Sequence, residues 1–255
     1  MYWVTVLTGV LLVAACAVTG SIALLFRARG LAALEQGFGV VTPHLRRLAT
    51  AIGGVAGVVI GLLVLYFAED SDHFNLIEWI GRGSYLLVAG ASAGHLLILV
   101  RTALHLVREE KAWGANGDGA GAGTLGKRRI QQLQALRRTH KHYIDLKTRD
   151  AQVVDELVSI IGTPLMNTRQ DLSRIPFYGY LGTVCGILLM AEELGRINEA
   201  TEAFKVLISM AGGLVLAFKT TLVALLAFLP LRKASDYLIR RVGALEEAWN
   251  RALEG

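Results

Sequence analysis

Charged residues are scarce in this chain of 255 residues, where they make up 18% of the composition while apolar residues make up 53%. Soluble globular proteins carry about 25% charged residues, and the mean hydropathy here is +0.47, so the composition argues against a soluble enzyme. Cysteine is scarcer still, since Cys16 and Cys185 are the only two and both lie inside apolar runs. Two such thiols do not support a disulfide framework or a cysteine-based metal centre.

The apolar residues are gathered into five runs, each long enough to cross a hydrocarbon layer of about 30 Å as a helix. No positive charge precedes the first run, whereas Arg27 and Arg29 follow it, which is the reverse of a cleavable signal peptide. We therefore predict an all-α integral membrane protein with five transmembrane helices. The runs are 2–26, 48–68, 83–100, 175–191 and 206–231.

Basic and acidic residues alternate between the connecting segments. Segments 27–47 and 101–174 are mainly basic, whereas segments 69–82 and 192–205 are mainly acidic. Because basic residues accumulate on the cytoplasmic side of a membrane, the N-terminus is predicted outside and the C-terminus in the cytoplasm. The same distribution accounts for the net charge of +5 without a nucleic-acid partner.

Two polar segments carry apolar residues at helical spacing. Such stripes are typical of helix packing, with a docking surface as the alternative. The segment that carries the first stripe begins with a run of basic residues, which indicates a helix face in contact with water. Contacts of this face with anionic lipid or with another protein are the further interpretations. The stripes are Ile130, Leu133, Leu136, His140, Tyr143, Val154, Leu157 and Ile161 in one segment and Ala234, Tyr237, Leu238, Val242, Leu245 and Trp249 in the other.

A Gly/Ala-rich stretch separates the first three spans from the last two and is typical of a flexible linker. Pro164 and Pro176 bracket an expected break before the fourth span. The predicted organisation is a three-helix membrane region at 1–112, the linker at 113–126, a cytoplasmic helical segment at 127–174, a two-helix core at 175–231 and a C-terminal cytoplasmic helix at 232–255.

The fourth and fifth runs each carry small residues on one face together with a threonine. Small residues at this spacing let helices approach closely in lipid, and a threonine among them either bonds back to a carbonyl of its own helix or lines a polar seam. These residues are Gly179, Gly182, Thr183 and Gly186 in the fourth run and Gly213, Ala217, Thr221 and Ala224 in the fifth. Packing alone is predicted for the glycines of the second and third runs, Gly53, Gly57, Gly61, Gly90 and Gly94.

Segments 176–186 and 211–222 together resemble the two signature helices of the MotA/TolQ/ExbB proton-channel family. The resemblance implies a homopentamer in the bacterial inner membrane around a dimer of a single-span MotB/TolR/ExbD-like protein, whose membrane aspartate carries H⁺ or Na⁺. It implies no cofactor. Matched by position, Thr183 and Thr221 are the two pathway threonines, and Thr220 is the neighbouring threonine of the flagellar-stator branch.

Two positions depart from the family pattern. Leu216 stands where the TolQ and ExbB branch has a glutamate, and Lys219 stands where the family has an apolar or small residue. An ammonium inside a span has to pair, reach water or extend to the interface. Lys219 is therefore predicted either as a structural residue, by snorkelling or by a subunit contact, or as a gate or counter-charge to the partner's carboxylate. It lies 200° around the helix from Thr221, on the face of Leu216.

His95 is the other ionisable residue well inside a span. It is predicted either as a hydrogen-bonded packing residue or as a proton relay. The spans contain no carboxylate, so the chain cannot relay protons alone by the usual carboxylate chemistry. A partner is expected to supply that group.

The function predicted from these features is that of a ring-forming subunit of an ion-driven motor, which converts ion flow into movement of the partner. The alternative is a membrane scaffold or signalling adaptor that keeps the ring fold without conducting, because Lys219 would repel cations. An enzyme is not expected, since the sequence has no recognisable catalytic triad, metal cluster or phosphate-binding loop.

Overall fold

The computed structural model of the chain describes residues 2–37, 42, 44–69, 75–116, 124–139, 143–195 and 203–251. Within these residues all regular structure is helical. The seven helices in this part of the chain are α1 (Tyr2–Gly37), α2 (Leu45–Glu69), α3 (Leu76–Asn116), α4 (Thr124–Thr139), α5 (Tyr143–Leu172), α6 (Ile175–Leu194) and α7 (Ala203–Arg251).

Five helical stretches are long and apolar enough to cross a membrane, which confirms the prediction of an all-helical, multi-pass membrane protein. Every predicted run overlaps one of them, although the helices continue well beyond the apolar residues in several places. The five candidate spans are Val6–Gly37, Leu45–Ala68, Leu76–Ala112, Lys147–Leu194 and Met210–Asn250.

The break before the fourth span lies close to Pro176. Helix α5 continues through Pro164 as far as Leu172, and the chain turns at residues 173–174. Pro176 lies in the first turn of α6, where a missing N–H costs no intrahelical hydrogen bond. The predicted linker 113–126 is helical at both ends, in α3 and in α4, and its middle, 117–123, lies outside the described residues.

The helices contribute to two compact units. The first unit comprises residues 1–25, 49–96 and 170–232, and the second comprises residues 26–48, 97–169 and 233–255.

In the first unit, α1 and α2 pack backbone against backbone through glycines. A Cβ atom placed on Gly57 would lie 2.6 Å from Ala17 Cα, and one on Gly53 would lie 2.8 Å from Ser21 Cα. The predicted packing role of the glycines in the second span is therefore confirmed at these positions. Gly90 in the third span differs, because a Cβ there would meet none of the described residues within 4 Å.

A small apolar cluster joins α3, α5, α6 and α7 within the first unit. Val88, Leu172, Ile175 and Ala224 are fully buried in it, and Phe228 packs against them. This cluster holds the first turn of α6 against the second half of the apolar run of α7.

The second unit buries most of the apolar stripe predicted for α5 and for the end of α7. Tyr237 and Ala234 are exposed instead, and the Tyr237 hydroxyl is hydrogen-bonded by the Arg241 guanidinium. The buried stripe residues are Val154, Leu157, Ile161, Leu238, Val242, Leu245 and Trp249. Ile130 is half-buried, and the side chains of Leu133, Leu136, His140 and Tyr143 lie outside what the structure describes.

Helix α4 is fixed at its start and along its length by charged groups of the second unit. The Glu109 carboxylate accepts hydrogen bonds from the backbone N–H groups of Leu125 (3.0 Å) and Gly126 (3.1 Å). Arg129 donates two hydrogen bonds to the Asp150 carboxylate, at 3.1 and 2.7 Å. Since both partners of this pair are buried, α4 is held to α5 in one register.

A second buried ionic cluster in this unit surrounds Glu35 near the end of α1. Its carboxylate accepts hydrogen bonds from Arg101 Nε at 2.5 Å and from the backbone N–H of Thr42 at 2.8 Å. His105 Nε2 lies 3.3 Å from the same carboxylate and 2.7 Å from the Thr42 hydroxyl. The cluster ties the end of α1 and the segment after it to α3.

Candidate functional site

The small-residue faces of α6 and α7 meet directly. A Cβ atom on Gly179 would lie 2.6 Å from Ala224 Cβ, and one on Gly186 would lie 2.9 Å from Ala217 Cβ. Contacts therefore move toward lower numbers on α7 as they move toward higher numbers on α6, so the two helices are antiparallel. The absence of a side chain at the glycines is what allows this approach.

Thr183 and Thr221 face each other at this interface. Their hydroxyl oxygens are 2.5 Å apart, within hydrogen-bond distance. Thr183 Oγ1 also lies 3.2 Å from the carbonyl oxygens of Gly179 on its own helix and Ala217 on α7. Thr183 thus makes the local bond expected of a packing threonine and also pairs with Thr221 across the interface.

The Thr183 hydroxyl can satisfy these contacts together. It has one proton and two lone pairs, so it can donate toward the carbonyls and accept the Thr221 proton. The Thr221 lone pairs then remain available to a ligand. Both threonines are partly exposed, so a water molecule, a cation or a protonated carboxyl group brought to this face can be bound. We call these two residues the threonine pair.

Thr220 is separate from the threonine pair. Its side chain is 1% exposed, and its hydroxyl donates to the carbonyl oxygens of Leu216 and Ala217, both at 3.0 Å. A Cβ atom on Gly182 would lie 2.5 Å from Thr220 Oγ1. Thr220 therefore fills the space left by Gly182 in the helix interface.

Apolar side chains surround the threonine pair on the open side. Val184, which follows Thr183 on α6, and Phe218, one turn before Thr221 on α7, are exposed in the isolated chain, with Phe218 at 68%. Exposed apolar surface of this extent inside a span requires lipid or another helix to cover it. The polar pair is thus a small hydrogen-bonding site in an apolar surface.

Lys219 lies on the other side of α7, where it lines a cavity of about 380 Å³. Leu216 lines the same cavity, whereas neither member of the threonine pair does. The other polar lining residues belong to α2, α3 and α6, except Asn75, which directly precedes α3. The cavity is therefore bordered by helices of the first unit. We call it the Lys219 cavity.

Arg82 is a functional-site candidate that the sequence reasoning missed. Its side chain is 7% exposed, it forms an ion pair with Glu78 one turn earlier in α3, and it donates a 2.6 Å hydrogen bond to the Phe67 carbonyl oxygen. The guanidinium also lies over the Phe67 ring, 5.6 Å from its centroid. The signal in the sequence is a Glu-x-x-x-Arg pair, whose two residues lie one turn apart on a helix.

His95 is buried in α3 and does not line the Lys219 cavity. Hydrogen-bonded packing and proton relay both stay predictions for this residue. In the part of the chain that the structure describes, no group of three His, Cys, Asp or Glu side chains could hold a metal ion.

Comparison with known proteins identifies this region. Residues 166–251 match the model of the MotA/TolQ/ExbB proton channel family. The resemblance noted from the sequence is thereby confirmed, and the match begins before segment 176–186 and ends after segment 211–222. No curated protein and no solved structure matches the chain.

Proposed function

Starting from a MotA/TolQ/ExbB proton channel domain at residues 166–251, we propose that this chain is the ring-forming subunit of an ion-driven motor in the bacterial inner membrane. Five copies surround a dimer of a single-span MotB/TolR/ExbD-like partner. Flow of H⁺ or Na⁺ past the ring is converted into rotation or movement of that partner. The N-terminus is outside, and the C-terminus is in the cytoplasm.

The observation that carries this proposal is the threonine pair. Two hydroxyl oxygens 2.5 Å apart present lone pairs within an otherwise apolar span surface, which is the environment in which a hydrogen-bond acceptor binds a passing ion or proton carrier most effectively. The pair lies within the family-matched region. It also joins both signature helices, so ion binding there acts on both helices.

The moving charge comes from the partner in this mechanism. The apolar runs at 175–191 and 206–231 contain no Asp or Glu, and threonine hydroxyls do not ionise at physiological pH. An aspartate of the partner binds the ion and becomes neutral, which lets it move along the apolar ring surface. Thr183 and Thr221 hold the ion or its water during transfer and release it toward the cytoplasm. No cofactor takes part.

The position of Lys219 favours the motor over the non-conducting scaffold. The scaffold rests on a fixed positive charge beside the pathway, which would repel cations. Lys219 lines a cavity whose walls exclude Thr183 and Thr221. Its charge is therefore directed away from the proposed pathway.

A double substitution tests the role of the threonine pair. Thr183→Val with Thr221→Val keeps the side-chain shape and removes both hydroxyl groups. We expect ring assembly to persist while ion flux through the reconstituted complex with its partner falls about tenfold or more, as is typical when a hydrogen bond to a charged group is lost.

The matched control is Thr19→Val in α1, because the Thr19 hydroxyl bonds only to carbonyls of its own helix, at 3.0 Å. This variant should conduct like the parent. Full conduction by the double variant would remove the threonine pair from the mechanism.

A further inference from the structure

The Lys219 cavity has the size and the walls of a hydrated space. Its volume is about 380 Å³, and a water molecule in the liquid occupies about 30 Å³, so several waters fit. Polar cavities hold water whereas apolar ones stay dry. The polar side chains in the walls are those of Tyr66, Asn75, Glu78, Arg82, Tyr85, Glu193 and Lys219.

The cavity extends from the ends of helices into the middle of a span. Asn75 directly precedes α3 and Glu193 lies next to the end of α6, and both line it. Lys219 lies near the middle of the apolar run 206–231. Water that enters beside Asn75 and Glu193 therefore reaches roughly half-way across the hydrocarbon layer.

Two acidic and two basic side chains line this cavity, and their placement is uneven: Glu193 lies next to the end of α6, whereas Lys219 lies near the middle of a span. The Arg82 guanidinium is engaged by Glu78 and by the Phe67 carbonyl oxygen, so its charge and that of Glu78 largely cancel. Lys219 forms no ion pair or hydrogen bond with the described part of the chain. An intramembrane ammonium of this kind is costly unless it is solvated or serves a function.

We propose that the Lys219 cavity is a hydrated vestibule and that Lys219 is its cation-excluding residue. Its fixed positive charge prevents protons and metal cations in the vestibule from continuing across the membrane, in the way that a single cationic side chain blocks cations in other water-filled pores. The inference deepens the proposed function, on which it rests, because ions that leak through the subunit bypass the threonine pair and perform no work.

Ion leak through the chain without its partner tests the exclusion. The purified full-length protein is placed in liposomes that contain a pH-sensitive dye, and proton entry is followed under an imposed membrane potential. Lys219→Met should raise the leak about tenfold or more, because local cation concentration in a cleft responds strongly to one charge. Lys219→Arg keeps the charge, so its proton leak should equal that of the parent.

Lys233→Met is the matched control. It removes the same charge from an exposed lysine of α7 that does not line the cavity, and it should not leak. A Lys219→Met protein that admits protons no faster than the parent would overturn the proposed cation exclusion. An equal leak in the Lys233→Met protein would overturn it as well.

Chemical labelling tests the vestibule independently of any leak. In a background with Cys16→Ala and Cys185→Ala, Lys219→Cys should react with a membrane-impermeant, water-soluble thiol reagent. Leu226→Cys is the control, because Leu226 is 64% exposed on nearly the same face of α7 as Lys219 but outside the cavity, and it should not react. An unreactive Lys219→Cys in a protein that elutes like the parent would overturn the vestibule.

These outcomes are distinguishable from failure of the proposed function. Both measurements use the chain without its partner. A protein whose Thr183 and Thr221 prove dispensable can still show a Lys219-dependent leak, and the reverse result is equally measurable.

Discussion

Glu35 illustrates how a single buried charge depends on its neighbours. The Glu35 side chain is 2% exposed, so its negative charge is stabilised by contacts with Arg101, His105 and Thr42 and not by bulk water. A carboxylate without such partners would not remain ionised in this environment. The same dependence holds for Arg101, which is 1% exposed.

Removal of the Glu35 charge should therefore be costly. Glu35→Gln leaves the Arg101 guanidinium buried without a counter-charge, and we expect the free energy of unfolding to fall by about 3–5 kcal/mol. Thermal or denaturant unfolding of the detergent-solubilised protein measures this change.

Asp171→Asn is the control for that measurement. The Asp171–Arg174 pair is exposed, with side-chain exposures of 41% and 72%, and pairs of this kind contribute about 0–1 kcal/mol. Similar losses in the two variants would show that the Glu35 cluster is not a buried, interdependent unit.

Individual site residues could be predicted from the sequence only where a local pattern defines them. Thr183 and Thr221 follow from small residues at helical spacing, since the pattern places each on a packing face. Thr220 is a threonine next to Thr221, so the sequence alone does not distinguish the two. Only the contact with Gly182 in the structure shows that Thr220 is buried. Arg82 pairs with Glu78 one turn away, which a local pattern can indicate. Arg101 becomes a neighbour of Glu35 only through folding, and no local pattern indicates that pairing.

At the scale of the elements, the pairing of α6 with α7 depends on glycine. Gly182 shows this most directly, since a Cβ atom there would lie 2.5 Å from Thr220 Oγ1. The Thr220 hydroxyl is already held by two carbonyl groups of α7. The side chain therefore has little freedom to move away.

We predict that Gly182→Ala weakens this helix pair. Overpacking of a close interface costs about 1–3 kcal/mol, so the melting temperature of the purified protein should fall measurably. Gly90→Ala is the matched control, because a Cβ at Gly90 meets none of the described residues within 4 Å, and this variant should melt like the parent or slightly higher. Equal stability of the Gly182→Ala protein would contradict direct packing of α6 on α7.

The number of membrane-crossing elements could be predicted from hydropathy, but the ends of the helices could not. Hydropathy indicates which residues can face lipid. The apolar run ends just before Arg27, whereas α1 continues as a helix to Gly37. Likewise α7 continues through Pro230 to Arg251. Prolines were a poor guide to these ends, since Pro164 and Pro230 both lie inside helices and contacts elsewhere offset their cost.

At the scale of the whole molecule, much apolar surface is left uncovered by the chain itself. Only 6% of the apolar window of α1 and 17% of that of α7 are buried, compared with 50% for α3. Helix α3 is therefore the most enclosed of the candidate spans. The surfaces of α6 and α7 that flank the threonine pair are available to lipid, to further copies or to a partner.

The assembly itself provides the last prediction. Co-expression with the single-span protein encoded beside this chain, followed by native mass spectrometry, should yield complexes of five copies with two partner chains. Recovery of a stable homo-oligomer that takes up no such partner would instead support the scaffold. The threonine-pair variant should give the same mass as the parent, since its hydroxyl groups are not proposed to hold the ring together.

The contact between Glu109 and the start of α4 has a practical consequence for engineering. The Glu109 carboxylate of α3 accepts hydrogen bonds from the N–H groups of Leu125 and Gly126 at the start of α4. This contact holds the two helices together independently of the length of the chain that connects them. The entropy of closing a loop grows only slowly with its length. A fluorescent domain or an affinity tag inserted between α3 and α4 should therefore leave the Glu109 contact in place.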